Sequence, residues 1–347
     1  MNYNLVKELC LCYGASGREK NVKQLIEEKI SPFCKSIETD AFGNLFCKKT
    51  DDGNLLNVVI DAHTDTIGLV VKEVLDGGFL KFSTLGGIDA RVLPGAEVII
   101  HSKQDILGVI TSVPPHLMSE EDKKKSPKIK DMFIDTGLDN AKEIVSVGDI
   151  VTYKQRLDKI AESIMGTYLD DRACVGAVIE VFEKLKDVKL PFNLIASFSV
   201  QEEIGLLGAK AQKLNPDVLI ALDVTHGKTP DEKSDLVFEC GNGSAVGFGP
   251  SLDKNLYEFI TGCAKKHNIL YQTEIIEANS GTNAWGYQIS QKPAVCAVLS
   301  LPIKFMHTPV ETASVKDYDN LVDLTAEVLK GLTKEKLLSM VEDKILR

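Results

Sequence analysis

The chain has 347 residues, 44% of them hydrophobic, enough to bury a large core and to form two domains, or one domain with an insertion. Its formal net charge of -10 offers no basic face for nucleic acid or an anionic membrane, so neither partner is expected. No apolar run reaches membrane-spanning length, the first residues lack a signal-peptide pattern, and the eight cysteines lie mostly in apolar runs without CxxC spacing; the chain reads as a cytoplasmic protein with reduced thiols.

Residues 4–30 alternate a helix pattern with the turn GASGRE, where Ser16 can cap a helix whose apolar positions include Val22, Leu25, Ile26 and Ile30. Gly43 and Asn44 mark a turn between short strands. The β-branched run Val58 to Ile60 predicts a buried strand, and Asp61, His63 and Asp65 follow it. A spacing of two suits an imidazole ligand beside a carboxylate that orients it or a neighbour, although such residues also cap turns.

From 69 to 163 the texture changes to short alternating strands broken by Gly and Pro, which predicts an inserted small β-barrel or sandwich. A charged segment within 114–135 reads as an exposed loop of this module. His101 and His116 fall inside it and receive no site role.

At Gly166 an α/β pattern returns. Asp170 and Asp171 precede an amphipathic helix expected over 173–185, where they could cap its start or point back over the sheet edge. The next strand, 192–199, runs into SVQEEIG, so Glu202 and Glu203 stand at its carboxyl end. Adjacent glutamates suit the first turn of a helix, but they can also divide labour, one on a metal and one on a proton. Val218 to Leu222 is closed by Asp223, with His226 a weaker candidate three residues on. Ala294 to Leu299 leads to the loop carrying His307, and Leu321, Leu324, Val328 and Leu332 predict a last helix over 315–332.

The expected fold class is α/β: a mainly parallel-sheet, three-layer catalytic domain of residues 1–68 and 164–347, with 69–163 inserted as a small β-barrel or sandwich. In such a sheet the strand ends converge on one edge. His63, one of Glu202 and Glu203, Asp223 and His307, with Asp170 shared, then make a ligand set for two divalent ions. Zinc accepts these donors, and cobalt or manganese would compete because none is soft. No phosphate-binding glycine loop, serine elbow or dinucleotide fingerprint points to other chemistry.

Eight segments carry a likeness in order over nearly the whole chain: AHTDTIG (62–68), GVITSVPPHL (108–117), DMFIDTG (131–137), LDDRACVG (169–176), QEEIGLLGA (201–209), DVTHG (223–227), SGTNAW (280–285) and LPIKFMHTPVE (301–311). They resemble the cocatalytic two-metal aminopeptidases that include glutamyl aminopeptidase and the tetrahedral aminopeptidases. The resemblance implies His63, Asp170 and Asp223 around one ion and Asp170, Glu203 and His307 around the other. It implies Glu202 as the base for a metal-bridged water and Asp65 as its electrostatic support. Peptides with a free N-terminus would be the substrates. The insertion would be a dimerisation domain, and dimers would build a hollow dodecamer. Gly281, Thr282, Asn283 and Lys304 fall at matching substrate-pocket positions. Many relatives have Gly-Thr-Asp there, and often arginine before the last histidine, so side-chain preference does not transfer. Other readings are a two-metal deacylase or dipeptidase on the same scaffold, a glycoside hydrolase with two carboxyls roughly 5 to 9.5 Å apart and no metal, and a non-catalytic shell protein.

Overall fold

The structure is a computed structural model and describes residues 1–230, 236–290, 292 and 294–345. Four parallel strands form its centre, in the order Asn193–Ser199, Asn57–His63, Val218–His226 and Val295–Lys304. Antiparallel strands extend both sides. Leu45–Lys48 and Ser36–Thr39 lie beyond the first, and Glu311–Ser314, Ser163–Gly166 and Leu157–Ile160 beyond the last. A branch strand, Ser244–Phe248, pairs antiparallel with Val295–Lys304 and carries Tyr271–Ile275 parallel to itself. The sheet is therefore mixed, with its parallel part at the middle.

The central strands read as unbroken apolar runs because both their faces are covered. Alternation divides each run between two layers. Val58, Ile60, Val218, Ile220, Ala297 and Leu299 pack with buried residues of the helices Tyr3–Leu11, Lys20–Ile30, Leu169–Lys184 and Val315–Gly331. Val59, Leu219, Ala221, Cys296 and Val298 face the other way, against Ala209, Ala284 and Tyr287 from the short helices Leu207–Ala211 and Asn283–Gln288. Each buried Val, Leu or Ile contributes ~1.5–3 kcal/mol, so the sheet is a rigid base for whatever its edge presents.

Between the strand ending at His63 and the helix starting at Leu169 the chain closes a six-stranded antiparallel barrel, in the order Gly68–Val74, Phe79–Leu85, Phe133–Asp135, Asp105–Thr111, Glu97–His101 and Ile150–Tyr153. It has its own core, which includes Leu69, Val71, Leu80, Phe82, Val98, Ile100 and Ile134. Leu157–Ile160, within the stretch expected to be inserted, pairs in the large sheet with Ser163–Gly166, which begins at the last residue of that stretch. His101 holds the N-terminal segment to the barrel: its ring stacks on Tyr13 with centroids 3.8 Å apart, and its nitrogens meet Asp105 and Thr152, each at 2.9 Å.

Two local differences from expectation shape the site. The helix expected from 173 starts at Leu169, but Asp170 and Asp171 depart from helical backbone angles and the peptide between them is cis. The strand expected to stop at Leu299 runs through Pro302 to Lys304. Among the described residues no helix is long and apolar enough to cross a membrane.

Candidate functional site

Parallel register brings the carboxyl ends of the central strands together: Ser199 is level with His63, and Asp223 with Ser300. Turns with left-handed backbone follow or precede these ends, at Tyr168 (φ 64°), Gln201 (φ 56°) and His307 (φ 61°). Non-glycine residues held in that region cost of order 1–3 kcal/mol each and cluster at functional sites. Here they aim Asp170, Glu202, Glu203 and His307 over the sheet edge.

Asp170 is the meeting point. Its Oδ1 lies 3.1 Å from Nε2 of His63 and its Oδ2 lies 3.1 Å from Nε2 of His307. Nε2 of His63 is also 4.0 Å from Oδ1 of Asp223, and Nε2 of His307 is 3.3 Å from Oε1 of Glu203. The five residues expected as cation ligands thus lie close together, linked pairwise through His63, Asp170 and His307. Potential ligand atoms of His63, Asp170 and Glu203 lie within 4.8 Å of one another, as do those of His63, Asp171 and Asp223. Asp171 was read beside Asp170 but given no role; its Oδ2 accepts the backbone N–H of His63 at 3.2 Å.

Both imidazoles have their Nδ1 occupied by backbone. Nδ1 of His63 is 3.1 Å from the carbonyl oxygen of Asp65, and Nδ1 of His307 is 2.6 Å from that of Gly87, in the loop after the barrel strand Phe79–Leu85. Carbonyl acceptors fix the tautomer that protonates Nδ1 and leave Nε2 as a ligand, the arrangement typical of metal-binding histidines. Glu311 accepts the backbone N–H of both His307 and Asp170, at 2.8 and 3.1 Å. Asp65 accepts the backbone N–H of Glu202 at 2.9 Å and of Glu203 at 3.2 Å, plus the Ser16 hydroxyl at 2.6 Å.

The site holds an excess of buried acid. Burial, partly offset by His63, pushes the Asp223 carboxyl up to about 8. Burial likewise raises Glu202, with Asp223, Glu203 and Asp65 adding to it, and raises Glu203 beside Asp170. Asp170 goes the other way: burial would raise it, but the hydrogen bonds of His307 and His63 hold it well below the usual carboxylate range. Burial opposes the charge on His307, yet Asp170 and Glu203 outweigh it and lift the imidazole to about 11. Carboxyls of Asp170, Asp171, Glu202, Glu203, Asp223 and Glu311 around two imidazoles are a charge imbalance that divalent cations would relieve. Imidazole and carboxylate donors are of the types that hold divalent cations.

This floor opens into a cleft of about 600 Å³. Gly281 and Thr282 line it, with Trp285, Lys210, His226 and Glu274, of which Lys210 and Glu274 were not singled out in the sequence. Asn283 does not belong to the cleft. Thr282 caps the helix Asn283–Gln288, which turns Asn283 into the core, where its amide donates to Asp61 at 2.8 Å and Ser199 at 2.6 Å. Lys304, paired with Thr312 at the end of its strand, is also not among the lining residues.

The chain is similar to known proteins over nearly its full length. The lysyl aminopeptidase of Pyrococcus furiosus is 32% identical over 343 residues, covering 96% of this chain and 98% of that protein. A TET aminopeptidase from a marine sediment archaeon of the Thaumarchaeota has a TM-score of 0.92 at 27% identity, over 97% of this chain and 99% of that one. The TET1 peptidase of Pyrococcus horikoshii, which can assemble into a tetrahedron or a large octahedral shell, has a TM-score of 0.83 at 30% identity, over 95% and 99%. A family model for the M42 glutamyl aminopeptidases matches residues 43–324, and the chain belongs to that family.

Proposed function

We propose that this protein is a metal-dependent aminopeptidase that removes the first residue of peptides with a free N-terminus, with two divalent cations per subunit. Aminopeptidase chemistry comes with the family; the cations, their ligands and the base are inferred from the residues. The observation that carries the reading is the carboxylate of Asp170, 3.1 Å from Nε2 of both His63 and His307 at the floor of the cleft. His63, Asp170 and Asp223 would hold one cation and Asp170, Glu203 and His307 the other. Zinc or cobalt fits these donors, with manganese a competitor.

When bound, the cations would polarise the scissile carbonyl and lower the pKa of nearby water towards ~7. Glu202 takes the proton of the attacking water and returns it to the departing amine, a task its raised carboxyl pKa suits. Asp65 supports Glu202 by accepting its backbone N–H. Carboxylates left facing the cleft attract the free α-ammonium of the substrate, which restricts cleavage to the first residue.

The test uses metal-stripped protein resupplied with zinc, cobalt or manganese, assayed on aminoacyl-anilides and their N-acetylated counterparts. Cleavage of the free-amine forms alone, restored by a cation, is the expected result. Equal cleavage of the acetylated forms would move the activity to a deacylase, and activity surviving full chelation would remove the metal from the reading.

The reading extends to assembly and location. The shells formed by the TET1 peptidase support a homo-oligomer here; in this reading it is a dodecamer of dimers that form through 69–163. All eight cysteines are free thiols, in keeping with a cytoplasmic location.

A further inference from the structure

We propose that Glu274 selects peptides whose first residue is basic, lysine or arginine; the inference rests on the aminopeptidase reading above. Glu274 lies in the strand Tyr271–Ile275 and lines the same cleft as Glu202 and Asp223. Both of its carboxylate oxygens are held by hydroxyls. Thr225 donates to Oε1 at 2.7 Å, and Ser300 donates to Oε2 at 3.0 Å.

Those two hydroxyls tie Glu274 to the cation end of the cleft. Thr225 lies two residues past Asp223 on the same strand, so the two side chains share a face. Ser300 is the register partner of Asp223 on the neighbouring strand. The strand between Ser300 and Glu274 carries Ala245 level with Ser300 and Gly247 level with Glu274, and such small residues leave room for the glutamate to reach across. Glu274 is thus held by the residue two past Asp223 and by the register partner of Asp223, in the same cleft, where a side chain can branch from a residue whose α-ammonium is bound at the carboxylates.

The environment of Glu274 calls for a cation. Two hydroxyl donors orient a carboxylate without neutralising it, and each oxygen can accept a further bond. No ion pair among the described residues reaches it. Trp285 and Met306 line the same cleft and offer apolar surface to an aliphatic stem. Lys210, which could favour an acidic first residue, follows Glu203 in the chain and donates its ammonium to the carbonyl of Gly205 at 2.8 Å. An apolar first residue would leave the Glu274 carboxylate unpaired, and an acidic one would be repelled.

The test compares the wild-type enzyme with Glu274→Gln and Glu274→Lys, each loaded with the cation that restores activity, on lysyl-, arginyl-, leucyl- and glutamyl-anilides. In the wild type, kcat/KM for the basic substrates should exceed that for leucyl and glutamyl by roughly tenfold or more. Glu274→Gln should lower the lysyl-to-leucyl ratio by about the same factor, chiefly through KM, and Glu274→Lys should shift preference towards glutamyl. A ratio taken within one variant is insensitive to losses of folded or loaded protein. Free L-lysine should also protect the wild type from thermal unfolding better than L-leucine, and Glu274→Gln should lose that difference. Cleavage of free-amine anilides without a basic preference, or an unchanged ratio in Glu274→Gln, overturns the role of Glu274 alone. Failure to cleave any free-amine anilide overturns the aminopeptidase reading and this inference with it.

Discussion

The backbone N–H of His307 donates to Oε1 of Glu311 at 2.8 Å. The other oxygen of that buried glutamate accepts the backbone N–H of Asp170, so one carboxylate positions two of the proposed cation ligands through their backbones. Glu311→Ala would leave both N–H groups without their acceptor. Cation affinity, measured by competition with a chelator, should fall about 10–100-fold, as for other groups that orient metal ligands. Glu311→Gln, which keeps one acceptor oxygen, should fall between. Unchanged affinity in both variants would mean that the ligands are positioned without Glu311.

Glu202 and Glu203 are neighbours whose backbone N–H groups share one acceptor, Asp65, yet different work is proposed for them. Glu202→Gln should keep the full cation content by metal analysis while kcat falls about 10²–10⁴-fold, the range for losing a general base. Glu203→Gln should instead lower cation affinity. A Glu202→Gln enzyme with near-normal kcat would exclude Glu202 as the base.

Asp170 makes a separate prediction about stability. Cations that bind the folded chain and not the unfolded one raise its stability by RT ln(1 + [L]/Kd), about 2.7 kcal/mol at a hundredfold excess over Kd. Zinc should therefore raise the thermal midpoint of the stripped wild type, and chelation should reverse the rise. Asp170→Ala removes the carboxylate that lies between His63 and His307 and should abolish most of this response. An equal zinc-dependent rise in the variant would contradict a shared ligand at this position.

Much of the site was legible because of where its residues fall in the chain. Val58 to Ile60, Phe192 to Ser199 and Val218 to Leu222 are apolar enough to be strands covered on both faces, and strands of that kind are parallel and present their carboxyl ends at one edge. His63, Glu202, Glu203 and Asp223 could then be placed together before any coordinates. Glu274 could not, because its strand, YQTEI, alternates like any surface strand and its partners Thr225 and Ser300 come from two distant runs. The Gly87 carbonyl behind His307 was equally hidden, since a backbone acceptor leaves no trace in side-chain chemistry. Asn283 is a pocket position by the resemblance alone, and side-chain chemistry gives no sign that Thr282 starts a helix and turns the next residue inward.

The sequence motif LDDRACVG also contains Arg172, which had no assigned role and is fully buried. Its guanidinium donates to the carbonyls of Leu9 at 2.7 Å, Cys12 at 3.2 Å and Gly14 at 3.2 Å, so it grips the turn that follows the first helix. That turn leads to Ser16, whose hydroxyl binds Asp65 at 2.6 Å, and Asp65 in turn holds Glu202. Arg172→Met leaves the carbonyls of Cys12 and Gly14 without a donor, at ~1–3 kcal/mol for each buried one, while that of Leu9 keeps the backbone N–H of Cys12. Arg172→Lys should rescue little, because one ammonium cannot reproduce the planar fork. Both variants should lose about 2 kcal/mol or more in urea unfolding of the stripped protein, while their cation content at low temperature stays near that of the wild type. A wild-type urea midpoint in Arg172→Met would show that the N-terminal turn holds without this grip, and the chain of contacts from Arg172 to Glu202 would then have no energetic content.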